Sequence, residues 1–428
     1  MQPVVITGIG VVSPLGCSVA ELTRNYAAFE RVPRAGELAQ IPLEVIPADK
    51  RTRIGRLDRL CRMFLATSYL AVEDAGLGVP VDDAERVGLS FGTGFGCLLT
   101  NAEYHQKIVD NGAAAASPRL FAYTVSSAAA GEVSIAFGIK GPNVTTHMGF
   151  AAGLGAIGYG FDLIQMGKAD VVLAGGADAI GPALIDGLRE MGLLKAAEQS
   201  RPFEDAVAGV CPSEAAAVLV LERADRAAQR GARVWGRIAG YAAGFEPTLT
   251  HPAREGTGVV GTMQRALSLS GQPANAVGLV LSSAHGTPID AIERAAITQV
   301  FGAQPRVLAP KAALGETFGA SGALALALAA GLAHANPLPE EAVDLLANTP
   351  FETPPKEGGS SGRTEKLVQI NSSTVRAEED PSSQGPSRSP AHDLSTLPGG
   401  EAESTSLVMV NSLCYSGNVV SLLFHPER

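Results

Sequence analysis

The sequence predicts an α/β protein in which sheets are covered by helices. Three observations predict it. Short β-rich runs alternate with helical patterns along nearly the whole chain. Apolar residues make up 46% and charged residues 18% of 428 residues, enough for a sizeable core. The longest charge-free apolar run, Gly319–Ala335, is rich in Ala and Gly and short for a membrane span, which suits a core helix.

The elements follow in order. "VVITGIGVV" near the start is a buried strand leading to a loop punctuated by Pro14. The opening segment lacks the basic leader of a signal peptide. Arg56–Gly76 carries apolar residues at helical spacing, with Gly76 as its C-cap. "RVGLSFGTGFG" is a strand running into a glycine loop, and Arg119–Gly138 is a loop and a helix. Gly141–Ala179 is a tight turn, a buried helix stopped at Gly167, and a buried strand. "SEAAAVLVLERADRAAQRG" is a strand, then a helix. The second half repeats the rhythm. "ARVWGRIAGYAAGF" reads as a strand pair, "GVVGTMQRALSLSG" as a helix, and "VGLVLSSAHGT" as a strand and loop. "AIERAAITQVFG" and the Gly319 run are helices, and "SLVMVNSLCYSGNVVSLLFH" holds the last strands.

One segment breaks the pattern. Residues 349–405 shift to Ser, Gly, Pro, Glu and Thr, which bury too little apolar area to offset ordering entropy. The segment is predicted to be a largely disordered surface insertion, with Leu367–Val375 as a short edge strand.

The formal net charge of −10 argues against nucleic acid as a partner, because phosphate binding needs a basic patch. The five cysteines are scattered without metal-ligand spacing, so no metal or cofactor is expected and a reduced, cytoplasmic protein is the simplest expectation. "GTGFGC" (Gly92–Cys97) looks like a phosphate loop but lacks the following GK[ST]; it is better placed as a strand-end turn.

Five motifs line up in order: "VVITGIGVVSPLG", Ser200–Glu222, Ser282–Gly302, Pro310–Ala323 and Val410–Asn418. Together they resemble the β-ketoacyl synthases of fatty-acid and polyketide synthesis over nearly the whole chain outside the insertion. The resemblance implies a thiolase-like fold, an α-β-α-β-α layered sandwich of two similar halves, here 1–230 and 231–428, assembled as a dimer.

Active members of that family use Cys, His, His. Their cysteine follows a GPN turn by seven residues, at the N-terminus of a buried helix, where the helix favours a thiolate. That thiolate accepts the acyl chain, and the histidines assist malonyl decarboxylation and stabilise the enolate. Seven residues after Asn143 stands Phe150, which has no lone pair to attack a carbonyl. The first histidine matches His285. The second falls on Glu316, with Lys311 retained five residues earlier. A carboxylate there opposes an incoming malonyl carboxylate by about 4 kcal/mol at ~4 Å and an effective dielectric near 20. The Lys311 charge favours the ionised form of Glu316.

Other departures agree. "HGTPIDAIE" is shorter than the family's segment after the histidine, "PSEAA" replaces "GEGA", and "CYSG", with Tyr415, replaces the "GFGG" gate. These features resemble chain-length factors, the inactive partner subunits of type II polyketide ketosynthases, although many of those carry Gln where this chain has Phe150. The resemblance implies a heterodimer with an active ketosynthase subunit, an acyl carrier protein as second partner, and no membrane. It makes Asn143, Val144, Thr145 and Thr146 the strand that pairs across the dimer. It also places Cys97, Asn101 and Tyr104 on a helix that crosses the interface and closes the acyl tunnel, with Tyr104 either its floor or an ordinary interface aromatic.

Plainer readings stand beside these. Phe150 fills a core as well as it blocks a site, His285 alone suits a hydrogen-bonded core histidine, and Glu316 with Lys311 suits a structural pair. Cys97 and Cys414 suit small buried hydrophobes. The competing function is a catalytically dead homodimeric scaffold that binds an acyl chain or carrier protein. A ketosynthase with relocated chemistry is a third.

Overall fold

The computed structural model describes residues 2–28, 36, 38–194, 202–203, 209–247, 256–335 and 407–427. The predicted insertion at 349–405, and Leu367–Val375 within it, lie outside the described residues.

The first half holds β1 (Val4–Val12), α1 (Val19–Ala28), α2 (Ala48–Ile54), α3 (Arg59–Asp74), β2 (Val87–Gly92), α4 (Leu98–Asn111) and α5 (Pro118–Phe121). It continues through α6 (Ala128–Phe137), β3 (Asn143–Thr146), α7 (Ala152–Gln165), β4 (Val171–Asp178), α8 (Pro182–Glu190), β5 (Ala215–Arg223) and α9 (Ala224–Gln229). The second half holds β6 (Gly236–Phe245), α10 (Thr257–Ser270), β7 (Val277–Leu281), α11 (Ile289–Phe301), β8 (Arg306–Leu308), α12 (Lys311–Leu314), α13 (Ser321–His334), β9 (Leu407–Leu413) and β10 (Asn418–Pro426).

The strand order is β3-β2-β4-β5-β1-β6-β10-β9-β7-β8. From its outer edge inward, the first five strands run 3-2-4-5-1, and the last five run 8-7-9-10-6. The two series are the same when β1 is matched to β6 and each later strand to its counterpart. One topology is therefore used twice. The two five-stranded sheets join where Val4, Val5 and Ile6 pair antiparallel with Ile238, Arg237 and Gly236.

The layers follow from which helices are apolar all round. Ser321–Leu332 of α13 are all buried, and α7 is buried except at a few positions. A helix without a polar face must lie inside. Accordingly α7 and α13 pack against each other and against both sheets as the middle layer, while α3 and α6 cover the first sheet and α10 and α11 the second. This is the thiolase-like α-β-α-β-α sandwich.

One expectation is corrected. The segment read as a strand pair forms the single strand β6. Gly240 and Gly244 make no turn. A side chain at Gly240 would meet Ser270, and one at Gly244 would meet Thr262, so these glycines let α10 lie close on the strand.

Candidate functional site

The chain leaves β3, crosses Met148, and enters a short 3-10 turn at Gly149–Ala151 before α7 begins. Gly149 has φ 57°, and a side chain there would run into the Cys414 sulfur, so glycine suits both demands. Phe150 follows, 5% exposed, and its carbonyl accepts from Ser412 Oγ at 3.0 Å. The first turn of α7 thus opens beside a benzyl ring that has nothing to ionise.

The ring is enclosed by other rings. Phe318 meets it edge-on at 5.2 Å between centroids, and His285 at 5.9 Å. Phe95 continues the column at 5.1 Å from Phe318. Ile180, Leu184, Leu188 and Cys414 complete the apolar cluster around Phe150. Phe318 holds φ 52°, uncommon for a bulky residue, and donates its N–H to Glu316 Oε1 at 2.7 Å. The strained turn that aims Phe318 at Phe150 is therefore tied to the buried Glu316 carboxylate.

His285 lies in the β7–α11 loop, 1% exposed. Its N–H donates to Asp290 Oδ1 at 3.0 Å. Nδ1 lies 3.0 Å from the Ser283 carbonyl, which only accepts, so Nδ1 carries a proton. Nε2 lies 3.0 Å from Thr287 Oγ1 and accepts its hydroxyl in the neutral ring. Both ring nitrogens are engaged within the residue's own loop.

Glu316 has no exposed surface. Oε2 accepts from Lys311 Nζ at 2.8 Å, and Oε1 from the Phe318 N–H and from Ser321 Oγ, each at 2.7 Å. Burial opposes its charge, but Lys311 and these hydrogen bonds outweigh burial and hold the carboxyl below its usual range. Its backbone bridges to the "PSEAA" motif through Cys211 and Ser213. Lys311 also donates to Ser283 Oγ at 3.2 Å and stands 5.8 Å from the Phe150 ring centroid. Phe150, His285, Lys311 and Glu316, chosen from motifs far apart in sequence, are therefore neighbours in one buried cluster.

Sequence reasoning missed three members of this region. Glu293 accepts the Ser283 N–H at 2.9 Å, and burial pushes its carboxyl up to about 7. Asp178, at the end of β4, accepts from Thr93 Oγ1, from the N–H groups of Gly94, Phe95 and Gly96, and from Gly319 N–H. The amides of the "GTGFGC" loop are thus already taken by a carboxylate, which agrees with a strand-end turn and leaves no cradle for phosphate. Phe318 is the third. Only the odd polar residue in apolar "VVLAGGADA" could have flagged Asp178; no comparable signal marks the others.

The remaining predicted residues are dispersed. Cys97 is corrected: it is half-buried, sits at the N-cap of α4, donates to the Thr124 carbonyl at 3.1 Å and accepts from Asn101 Nδ2 at 3.1 Å. Cys414, in contrast, is buried in the Phe150 cluster. Tyr104 lies further along α4 beside Phe121, at 6.0 Å between centroids, and outside the Phe150 cluster. From this helix Leu98 reaches that cluster. Tyr415 is half-buried at its margin.

Asn143, Val144, Thr145 and Thr146 form β3, the edge strand of the first sheet, parallel to β2. No strand pairs with its outer side among the described residues. Asn143 Nδ2 donates to Ser134 Oγ at 2.8 Å, beside Ile135, which is 61% exposed. An open strand edge flanked by exposed apolar side chains is a template for pairing with another chain.

Comparisons with known proteins agree with this architecture. The model of the β-ketoacyl synthase N-terminal domain matches residues 47–227, and that of the C-terminal domain matches residues 235–342. A 3-oxoacyl-[acyl-carrier-protein] synthase 2 of Staphylococcus aureus (strain COL) is 31% identical over 345 residues, covering 75% of this chain and 83% of its own. The protein of the same name from Synechocystis sp. is 29% identical over 348 residues, covering 75% and 83%. Among solved structures, the ishigamide ketosynthase/chain length factor superposes with a TM-score of 0.75 at 23% identity, and a β-ketoacyl synthase from Burkholderia phymatum with 0.76 at 23%. A type II polyketide synthase acyl-carrier protein in complex with its ketosynthase gives 0.73 at 18%. All three cover 100% of both chains. At such identities they speak for the fold. Among the described residues, no helix is long and apolar enough to cross a membrane.

Proposed function

This chain belongs to the β-ketoacyl synthase family, and we propose that it is a non-catalytic member, a chain-length factor that pairs with an active ketosynthase and helps set the length of a polyketide or polyene chain. The observation that carries the proposal is Phe150. It occupies the position of the family's cysteine, is packed against Phe318 and His285, and offers no atom that can hold an acyl group. Glu316 supports the same conclusion. It is charged, buried and already bonded, so it opposes a malonyl carboxylate where active members present a histidine.

The fold retains what assembly needs. β3 keeps its outer edge free of other described strands, and Ile135 beside it is exposed. Pairing that edge with the matching strand of an active ketosynthase would extend the sheet across a dimer and bury the apolar rim. A growing acyl chain held by the partner's cysteine would then meet this subunit near α4. An acyl carrier protein delivers the chain to the pair.

Incubation of the isolated protein with acyl- and malonyl-carrier proteins, followed by intact-mass analysis, is the first test. No acyl adduct and no released CO₂ are expected; a stoichiometric thioester adduct overturns the proposal. Co-expression with an active type II ketosynthase should give a stable 1:1 dimer in analytical ultracentrifugation. An obligate interface of this kind commonly exceeds ~2,000 Å² in total. A well-behaved homodimer that ignores every ketosynthase favours the scaffold instead.

A further inference from the structure

A second cavity lies away from the Phe150 cluster, between α2, α3 and α6. Its volume is 340 Å³, within the range of small-molecule sites. Ile46, Ile54, Leu57 and Leu65 give it apolar walls, and all four are buried. Tyr69, from α3, also lines it and is 6% exposed. The Tyr69 hydroxyl is buried and has no hydrogen-bond partner.

A buried, unbonded hydroxyl is costly and uncommon in folded proteins. Burial, with Asp49 close by, pushes the Tyr69 phenol above its ordinary range, so the group stays an O–H donor. A water molecule in an apolar cavity needs two to four polar partners, and among the described lining residues the buried ones, Ile46, Ile54, Leu57, Leu65 and Tyr69, supply this hydroxyl alone. The charges at the mouth are engaged elsewhere or solvated. Lys50 Nζ donates to the Ala136 carbonyl at 2.9 Å, Glu132 Oε1 accepts from the Tyr123 hydroxyl at 3.3 Å, and Asp49 is exposed. Among the described residues, the cavity thus offers one buried unbonded donor, apolar walls and a lysine that is already bonded.

We propose that this cavity is a binding site for a small uncharged molecule with an apolar body and one hydrogen-bond acceptor, such as a ketone, which accepts from Tyr69. The site is separate from the acyl chemistry of the family and holds whether or not the chain is a chain-length factor.

Acetophenone and isopropylbenzene test it, because they have the same skeleton and differ in one acceptor. Ligand-observed NMR titrations of the purified chain should show saturable binding of both, with acetophenone tighter by about two- to tenfold, the range of one net hydrogen bond. Tyr69→Phe keeps the ring in place and should abolish that preference while leaving isopropylbenzene unaffected. Leu57→Trp, checked for folding by thermal melting, should fill the cavity and remove binding of both. The proposal is overturned if acetophenone does not saturate, if Tyr69→Phe keeps the preference for the ketone, or if folded Leu57→Trp binds as the parent does.

Discussion

Lys311 donates to Glu316 across 2.8 Å in a site where Glu316 has no exposed surface and Lys311 has 4%. A buried ion pair is weak evidence for net stability, but removing one partner leaves the other charge uncompensated, at about 3–5 kcal/mol. Glu316→Ala should therefore destabilise strongly, while Lys311→Met with Glu316→Leu should cost far less than the sum of the two single changes. A double-mutant cycle from urea unfolding measures the coupling; additive costs would show that the pair is not a unit.

Phe150→Cys alone should not restore condensation. It places a thiol before α7, but Glu316 still faces the malonyl carboxylate and His285 remains bonded to Ser283 and Thr287. The lost ring should cost roughly 2–4 kcal/mol through the space left beside Phe318. Phe150→Cys with Glu316→His should condense better, though still poorly. Product analysis of both variants with acyl- and malonyl-carrier proteins checks this, and condensation by the single variant at a rate near that of active family members would refute the role given to Glu316.

Glu293 and Glu316 should impose opposite pH trends on stability. The Glu293 carboxyl is raised from 4.5 to about 7, so the folded chain holds this proton more tightly than the unfolded chain does. Its contribution is complete below about pH 4.5 and is lost as pH rises through about 7, a loss of roughly 3 kcal/mol. Glu316 is lowered, so its contribution is present above the ordinary carboxylate range and is lost as pH falls through the folded value. Urea unfolding of Glu293→Gln between pH 5 and 8 should be flatter than that of the parent, with the larger gain in stability at the alkaline end. An unchanged profile would remove Glu293 from the pH dependence.

Asp178→Asn should loosen the loop at Thr93–Gly96. The carboxylate accepts from five donors there and at Gly319. An amide turns one acceptor into a donor facing backbone N–H groups, at a cost of at least about 2 kcal/mol. Hydrogen exchange should become faster at Gly94, Phe95 and Gly319. Parent-like protection would show that the loop holds itself.

Tyr104→Ala should lengthen the product of the co-expressed pair without abolishing synthesis, because the proposed pairing puts the chemistry on the other subunit. Tyr104 packs beside Phe121, which is 63% exposed, so it lies toward the surface rather than in the Phe150 cluster. The opened volume is about one ring, room for roughly one or two two-carbon units. Mass spectrometry of the products reads the outcome. An unchanged profile for Tyr104→Ala and Asn101→Ala, with the dimer intact, would exclude this helix from chain-length control.

Strand and helix order were legible in the sequence because they depend on periodicity and on turn residues that act locally. The charge-free apolar run at Gly319–Ala335 suited a core helix better than a membrane span, and Ser321–His334 form the buried helix α13. That Phe150 carries no nucleophilic atom was legible too, since a benzyl group has the same chemistry in any fold. Tertiary structure decided what local pattern could not express. The stretch "ARVWGRIAGYAAGF" looked like a strand pair until α10 lay across the single strand β6 at Gly240 and Gly244. Cys97 looked like a small hydrophobe until the Thr124 carbonyl and the Asn101 amide came within reach of its sulfur. Asp178, Glu293 and Phe318 belong to the site because β4, α11 and the turn before α13 converge there. Their hydrogen-bond partners lie up to 141 residues away in sequence, and a hydrogen bond over that separation exists only once the layers have packed.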